Sequence, residues 1–250
     1  MGTTQLLTTP EIHPLGLDRL VVRFAWVPSD AATAAVGRFQ SLVADHSPDG
    51  VVDVASALAS VSVTFDRTKV SRQEVIDILN PLARDAITAE SEAPTFKRIW
   101  HIPVAFGGPY GPQLQETAEL AGVDPDTVVR DITENQLSVL SIGFAPGQPY
   151  IGLLPERWNI PRQTELTPKV PAGALVLAVR QLVLFTNPSV TGWRQVAYTA
   201  FRPFKFDRAD PFALRLGDGL RFHAVSHDDM HALDAGNTDG LGGARCEVLQ

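Results

Sequence analysis

From Leu137 onward the chain is written in short apolar runs cut by glycine and proline, and this texture limits the fold more than any other feature. The runs fall at 137–144, 170–179, 182–187, 193–200 and 220–225. Each has the length of a strand or little more and is bounded by turn formers, so the pattern predicts a β-barrel or sandwich.

The first hundred residues read differently, in the order strand, helix, strand, strand, helix, strand. Leu20, Val22, Phe24 and Trp26 alternate along 18–27, as a half-buried strand requires. Ser29 or Asp30 caps the next segment, where Val36, Phe39, Leu42 and Val43 recur at helical spacing. A short strand follows at 51–54, and Val61, Val63 and Phe65 alternate with polar residues in a clearer one. Ser71-Arg72-Gln73-Glu74 is a capping box. It opens a helix with Val75, Ile76, Leu79 and Leu82 on its core face, which Pro81 should end or kink. Residues 97–105 supply a last strand. The order βαββαβ is the ferredoxin-like arrangement, so the expected fold class is α+β.

Residues 89–95 turn polar and read as a linker, which sets domains at 1–95 and 96–225. In the second domain Gly111-Pro112 precedes a helix running to about Gly122, and Asp124-Pro125 opens another. Past His223 the apolar periodicity is lost, and 226–250 reads as a polar linker or tail.

Composition excludes several classes of function. A formal charge of −7, with no run of basic residues, leaves nothing to neutralise phosphates or to anchor on an anionic membrane, so neither nucleic acid nor membrane is expected as a partner. The single cysteine, Cys246, cannot form an internal disulfide, and the first residues lack the charged and apolar regions of a signal peptide, so a cytoplasmic protein is expected. There is no G-x-x-x-x-G-K-[ST] loop, G-x-S-x-G elbow or H-E-x-x-H helix. His223, His227 and His231 stand at i, i+4 and i+8, but they run from a strand into the polar tail, so no metal is expected. The glycines of 106–112 read as turn formers that could also seat an anion before a helix.

The segment IGFAPGQPYIGLLP, 142–155, sets large apolar residues between three glycines and three prolines, making a stiff loop that displays Phe144 and Tyr150. Downstream lie Arg162, Lys169, Gln181 and Trp193, which together offer cations, an amide and an indole donor. Such a set suits a small carboxylate or amide ligand.

The blocks PVAFGGPYGPQL (103–114), IGFAPGQPYIGLLP (142–155), PRQTELTPKVPAGAL (161–175), VRQLVLFTNPSVTGW (179–193) and LGDGLRF (216–222) occur in that order. In this the chain resembles the small-subunit family that includes the B component of 5-oxoprolinase, allophanate hydrolase subunit 1 and the kinase inhibitor KipI. The resemblance implies a ferredoxin-like part followed by a cyclophilin-like β-barrel. It implies a large partner of the KipA type, the counterpart of the C component of 5-oxoprolinase, as a separate chain or a fused domain following the tail. It also implies ATP-dependent opening of 5-oxoproline, with ATP handled by the assembled complex; carboxyl transfer of the urea carboxylase kind and inhibition of a histidine kinase are the alternatives.

On this reading Phe144, Gln148 and Tyr150 contact substrate from the rigid loop. Arg162 and Lys169 take its carboxylate, and Gln181 and Trp193 hydrogen-bond it, with no residue assigned as general acid or base. The sequence departs from the family pattern at Gln148, usually phenylalanine, and at Arg180 and Val183, usually glycine.

Overall fold

The computed structural model describes residues 6–88 and 96–249, so the linker expected over 89–95 lies outside the described residues. The chain divides into two compact units, 1–95 and 96–250.

The first unit comprises β1 (Glu11–Pro14), β2 (Arg19–Arg23), α1 (Asp30–His46), β3 (Val51–Ser56), β4 (Ser60–Phe65) and α2 (Arg72–Thr88). Its strands form an antiparallel sheet in the order β1-β2-β4-β3. Alternation places Leu20, Val22, Val61, Val63 and Phe65 on one face, where Val36, Phe39, Val43, Val75 and Leu79 of the two helices cover them. The expected caps are present. Ser29 accepts the amide of Ala32 at 3.1 Å. In the capping box, Glu74 accepts the amide of Ser71 at 2.8 Å and Ser71 accepts that of Glu74 at 3.3 Å.

Three expectations need correction. The strand read at 97–105 does not complete this sheet; it is β5 (Arg98–Phe106) of the second unit, and the edge beside β2 belongs to β1. The reason is chemical: Ile102 and Val104 must be buried on β5, whereas β1 is short, polar and ends in proline, as suits an edge. Helix α2 does not end at Pro81 but runs on to Thr88, with Ala83 and Ala86 buried beyond the proline. Strand β2 stops at Arg23, and Trp26 is exposed beneath the guanidinium of Arg23.

In the second unit β5 is followed by α3 (Leu114–Ala121), α4 (Pro125–Glu134), β6 (Leu137–Ile142), β7 (Pro149–Gly152), β8 (Thr167–Val170), β9 (Ala174–Ala178), β10 (Gln181–Leu184), β11 (Ser189–Thr191), β12 (Arg194–Tyr198), β13 (Gly219–Ala224), α5 (His227–Ala235) and β14 (Arg245–Val248). Seven strands, in the order β12-β9-β10-β7-β6-β13-β5, close into a barrel through pairing of β5 with β12. Strands β8 and β11 form a separate two-stranded ribbon. Inside the barrel Ile102, Val104, Ile151, Leu175, Leu177, Leu182, Leu184, Leu220 and Phe222 share one core.

The stretch 226–250, expected as a tail, instead holds α5 and β14. Ser226 caps α5 by accepting the amide of Asp229, Met230 is fully buried, and β14 pairs antiparallel with β5. No described helix is long and apolar enough to cross a membrane.

Two local features carry much of the barrel's geometry. Arg98, at the start of β5, makes a bidentate pair with Asp218 before β13 and donates to the carbonyl of Ala213 at 2.8 Å. Asp218 also accepts the amide of Arg215 at 2.8 Å. Between β9 and β10 the two-residue turn Val179-Arg180 has φ of 45° and 65°, a shape that glycine and asparagine normally supply. The turn is held by its surroundings: the amides of Val179 and Arg180 donate to Ile160 and Trp158, and Arg180 Nε donates to the carbonyl of Leu154.

Replacing Asp218 by alanine strands the Arg98 guanidinium and should cost about 3 kcal/mol in a urea titration of the second unit. Val179→Gly relieves the left-handed backbone and should raise stability by about 0.5–1 kcal/mol. A decrease would mean that the valine's packing outweighs the strain.

Candidate functional site

The outer face of β7, β10 and β9 is where most of the residues singled out by the sequence meet. On β9, Leu175 and Leu177 point into the barrel, while Ala174, Val176 and Ala178 point outward into a second cluster with Val170, Val183, Phe185 and Trp193. Strand β10 repeats the alternation, with Leu182 and Leu184 inside and Val183 outside, so Gln181 shares the outer face. On β7 Ile151 is inside, and Tyr150, directly opposite Val183, is outside. Gln148 lies in the loop just before β7. Val170 of β8 packs into the same cluster, so the ribbon covers this layer.

The aromatic geometry is specific. Tyr150 meets Trp193 edge-on, with ring centroids 6.1 Å apart, and the Arg162 guanidinium lies 5.2 Å from the indole centroid. A cation over an indole face is favoured by the ring quadrupole. Trp193 is held in turn by Thr191, whose hydroxyl accepts its amide at 3.0 Å, and by Gln163, whose side-chain nitrogen donates to its carbonyl at 3.2 Å.

Gln148 is only 2% exposed, and its Oε1 has no hydrogen-bond partner. A buried amide oxygen left bare costs about 1–3 kcal/mol. Gln181 is buried on the outer face of β10, opposite Gly152.

Two of the seven residues fall elsewhere. Lys169 is exposed on β8, on the side opposite the inward-facing Val170. Phe144 is 77% exposed at the loop tip, with φ of 71°. The loop itself is stiff, as its composition suggests. Gly143 donates to the carbonyl of Gln148 and Gln148 to that of Ala145, while Gly147 is seated so closely on Phe204 that no side chain would fit. The layer therefore brings together a guanidinium, two aromatic rings and the buried amide of Gln181. It contains no nucleophile and no base.

In the glycine loop 106–112 the amides of Gly107, Tyr110 and Gly111 donate to protein carbonyls. Tyr110 stacks on Tyr198 at 5.3 Å, and a side chain at Gly111 would collide with the carbonyl of Val196.

A polar triad at that point escapes the sequence. Arg202 donates to the Tyr198 hydroxyl at 2.7 Å and to Asp234 at 3.0 Å, and Tyr198 donates to the other oxygen of Asp234 at 2.9 Å. Burial pushes the Tyr198 phenol above its ordinary range, more than the guanidinium beside it pulls it down. The triad fastens α5 to the barrel, and it was hidden because Asp234 lies in a stretch without apolar periodicity. A shallow depression of about 230 Å³ beside it is lined by Leu233, Asn237, Asp239 and glycine backbone, and contains none of the seven predicted residues.

The sequence matches the family described as carboxyltransferase domain, subdomain C and D, over residues 10–214. It is 28% identical over 229 residues to the B component of the 5-oxoprolinase of Bacillus subtilis (strain 168), an alignment that covers 89% of this chain and 95% of that one. It is 30% identical over 172 residues to the protein of the same name from Escherichia coli O157:H7, covering 69% and 77%. The crystal structure of the K. lactis urea amidolyase matches 98% of this chain with a TM-score of 0.73 and 14% identity. This chain spans only 16% of that one, and the likeness is one of fold, α+β with a β-barrel.

Gln148→Leu removes the orphaned oxygen while keeping the volume, and should raise stability by about 1 kcal/mol in thermal or urea unfolding. A loss of that size would show that the oxygen has a partner in solution.

Proposed function

The chain belongs to the carboxyltransferase domain, subdomain C and D, family, and from that premise we propose that it is one subunit, or the first half, of an ATP-dependent 5-oxoprolinase-type amide hydrolase. The observation that carries this reading is the alignment with the B component of the Bacillus subtilis 5-oxoprolinase, which runs almost end to end in both chains. The layer beneath the ribbon supports it. A substrate carboxylate would pair with Arg162, and the ring of 5-oxoproline would lie against the Tyr150 and Trp193 rings.

This chain lacks a P-loop and a nucleophile in that layer, so ATP and the bond-breaking step fall to the assembled complex with a large partner of the KipA type, the C component of such an enzyme. Within this reading the first unit is a ferredoxin-like variant whose edge strand comes from the N-terminal side, and the second is a cyclophilin-like barrel. A cytoplasmic complex fits the lone, exposed thiol of Cys246.

The test is co-expression with the large partner and measurement of glutamate released from 5-oxoproline with ATP. Release should require both proteins. Arg162→Ala should raise the apparent KM several-fold with little change in kcat, as expected for a ground-state carboxylate contact. No glutamate from the complete complex, or turnover of urea in its place, would refute the assignment.

A further inference from the structure

Two loops of the barrel hold apolar rings out in water. One joins β6 to β7 and displays Phe144; the other joins β12 to β13 and displays Phe206 and Phe212. These side chains are 77%, 86% and 46% exposed, and no other phenylalanine is exposed among the described residues. The loops touch. A Cβ at Gly147 would come within 2.9 Å of the Phe204 Cβ, and Phe204 packs on Phe212 with ring centroids 5.0 Å apart. Rings left in water forgo the gain of burial, and rings gathered on one surface mark a place of contact.

Neither loop is slack. The Arg208 guanidinium sits within the second, where it donates to the carbonyls of Arg202, Pro203, Asp210 and Pro211 at 2.9–3.2 Å. The Lys205 amide closes the same loop on the Pro211 carbonyl at 3.0 Å, and Phe204 and Phe212 form an isolated bridge. In the first loop the bonds among Gly143, Ala145 and Gln148 accompany a φ of 71° at Phe144, a backbone state that a bulky side chain rarely adopts. Side chains fixed before binding lose little freedom when they are covered.

Charge narrows the choice of occupant. Residues 202–216 hold four cations, Arg202, Lys205, Arg208 and Arg215, against two carboxylates, Asp207 and Asp210, in a chain of formal charge −7. Lys205 and Arg215 pair with those carboxylates and Arg202 with Asp234. Arg208 meets carbonyls instead, so its charge is unmatched by any carboxylate among the described residues. A second copy would set two such loops against each other and add the repulsion of two acidic chains. An anionic lipid surface is disfavoured by the same net charge. A different protein, with apolar recesses and an acidic rim, complements both the rings and the charge.

We propose that Phe144, Phe206 and Phe212 anchor this chain on the large partner, in apolar recesses rimmed by carboxylates. The choice of that partner rests on the reading of this chain as one component of a two-component hydrolase.

The experiment is calorimetric titration of the purified chain with the purified large partner, followed by the glutamate assay on the same mixture. Phe144→Asp and Phe206→Asp should each weaken binding at least tenfold without lowering the thermal midpoint of the isolated chain, since both side chains are exposed. Phe206→Lys should weaken it less than Phe206→Asp, because the rim it meets is acidic. Val52→Asp, at an exposed valine of the first unit, should leave the affinity unchanged. A complex that forms through these phenylalanines yet releases no glutamate would sink the 5-oxoprolinase reading and leave the docking surface standing. An active complex whose affinity survives both aspartate substitutions would do the reverse. Failure of the two proteins to bind overturns the proposal, as does Phe206-dependent self-association or adsorption to phosphatidylcholine vesicles in place of binding.

Discussion

Strand β5 is the member on which the second unit depends. It pairs in parallel with β13 over six residues, antiparallel with β14 at its beginning, and antiparallel with β12 at its end. Without the last of these the barrel would have two open edges, each presenting unpaired amides and carbonyls to water. The Arg98–Asp218 pair fixes where β5 begins against β13, and so sets which residues face the core and which face outward. A one-residue slip would bury His101 and expose Ile102.

How much of this was legible in the sequence depended on whether the signal was local. Helix caps at Ser29 and Ser71, alternation in β4 and the apolar runs of the barrel strands are short-range patterns, and they read correctly. The partner of a strand is not local. Nothing in RIWHIPVAF says which sheet it joins, and the first unit took its edge from the unpromising EIHP instead. Strand β14 and helix α5 were missed because a ladder with β5, one buried residue, Met230, and the polar contacts of Asp234 hold them, rather than a periodic apolar face.

The candidate site divides along the same line. Tyr150 and Trp193 were singled out by residue type and loop stiffness, and the structure brings their rings together on the outer face of the barrel. Parity also turned Lys169 away. The departure at Val183 has a clear meaning, since this side chain sits directly opposite Tyr150 and fills the layer where glycine would leave room. The departure at Arg180 falls in a turn whose backbone still has the shape glycine favours, kept by bonds to Leu154 and Trp158.

The pairing of β5 with β13 and β14 also governs the order of events during synthesis. The pairings of the first unit all lie within residues 11–65, so they can form while the ribosome is still making the barrel. Strand β5 emerges early in the second unit, but its neighbours at 219–224 and 245–248 come more than a hundred residues later. Closure of such long loops is entropically slow. For most of translation, then, β5 waits with its apolar face uncovered, and the growing barrel is most exposed to aggregation or chaperone capture just before its final strands emerge.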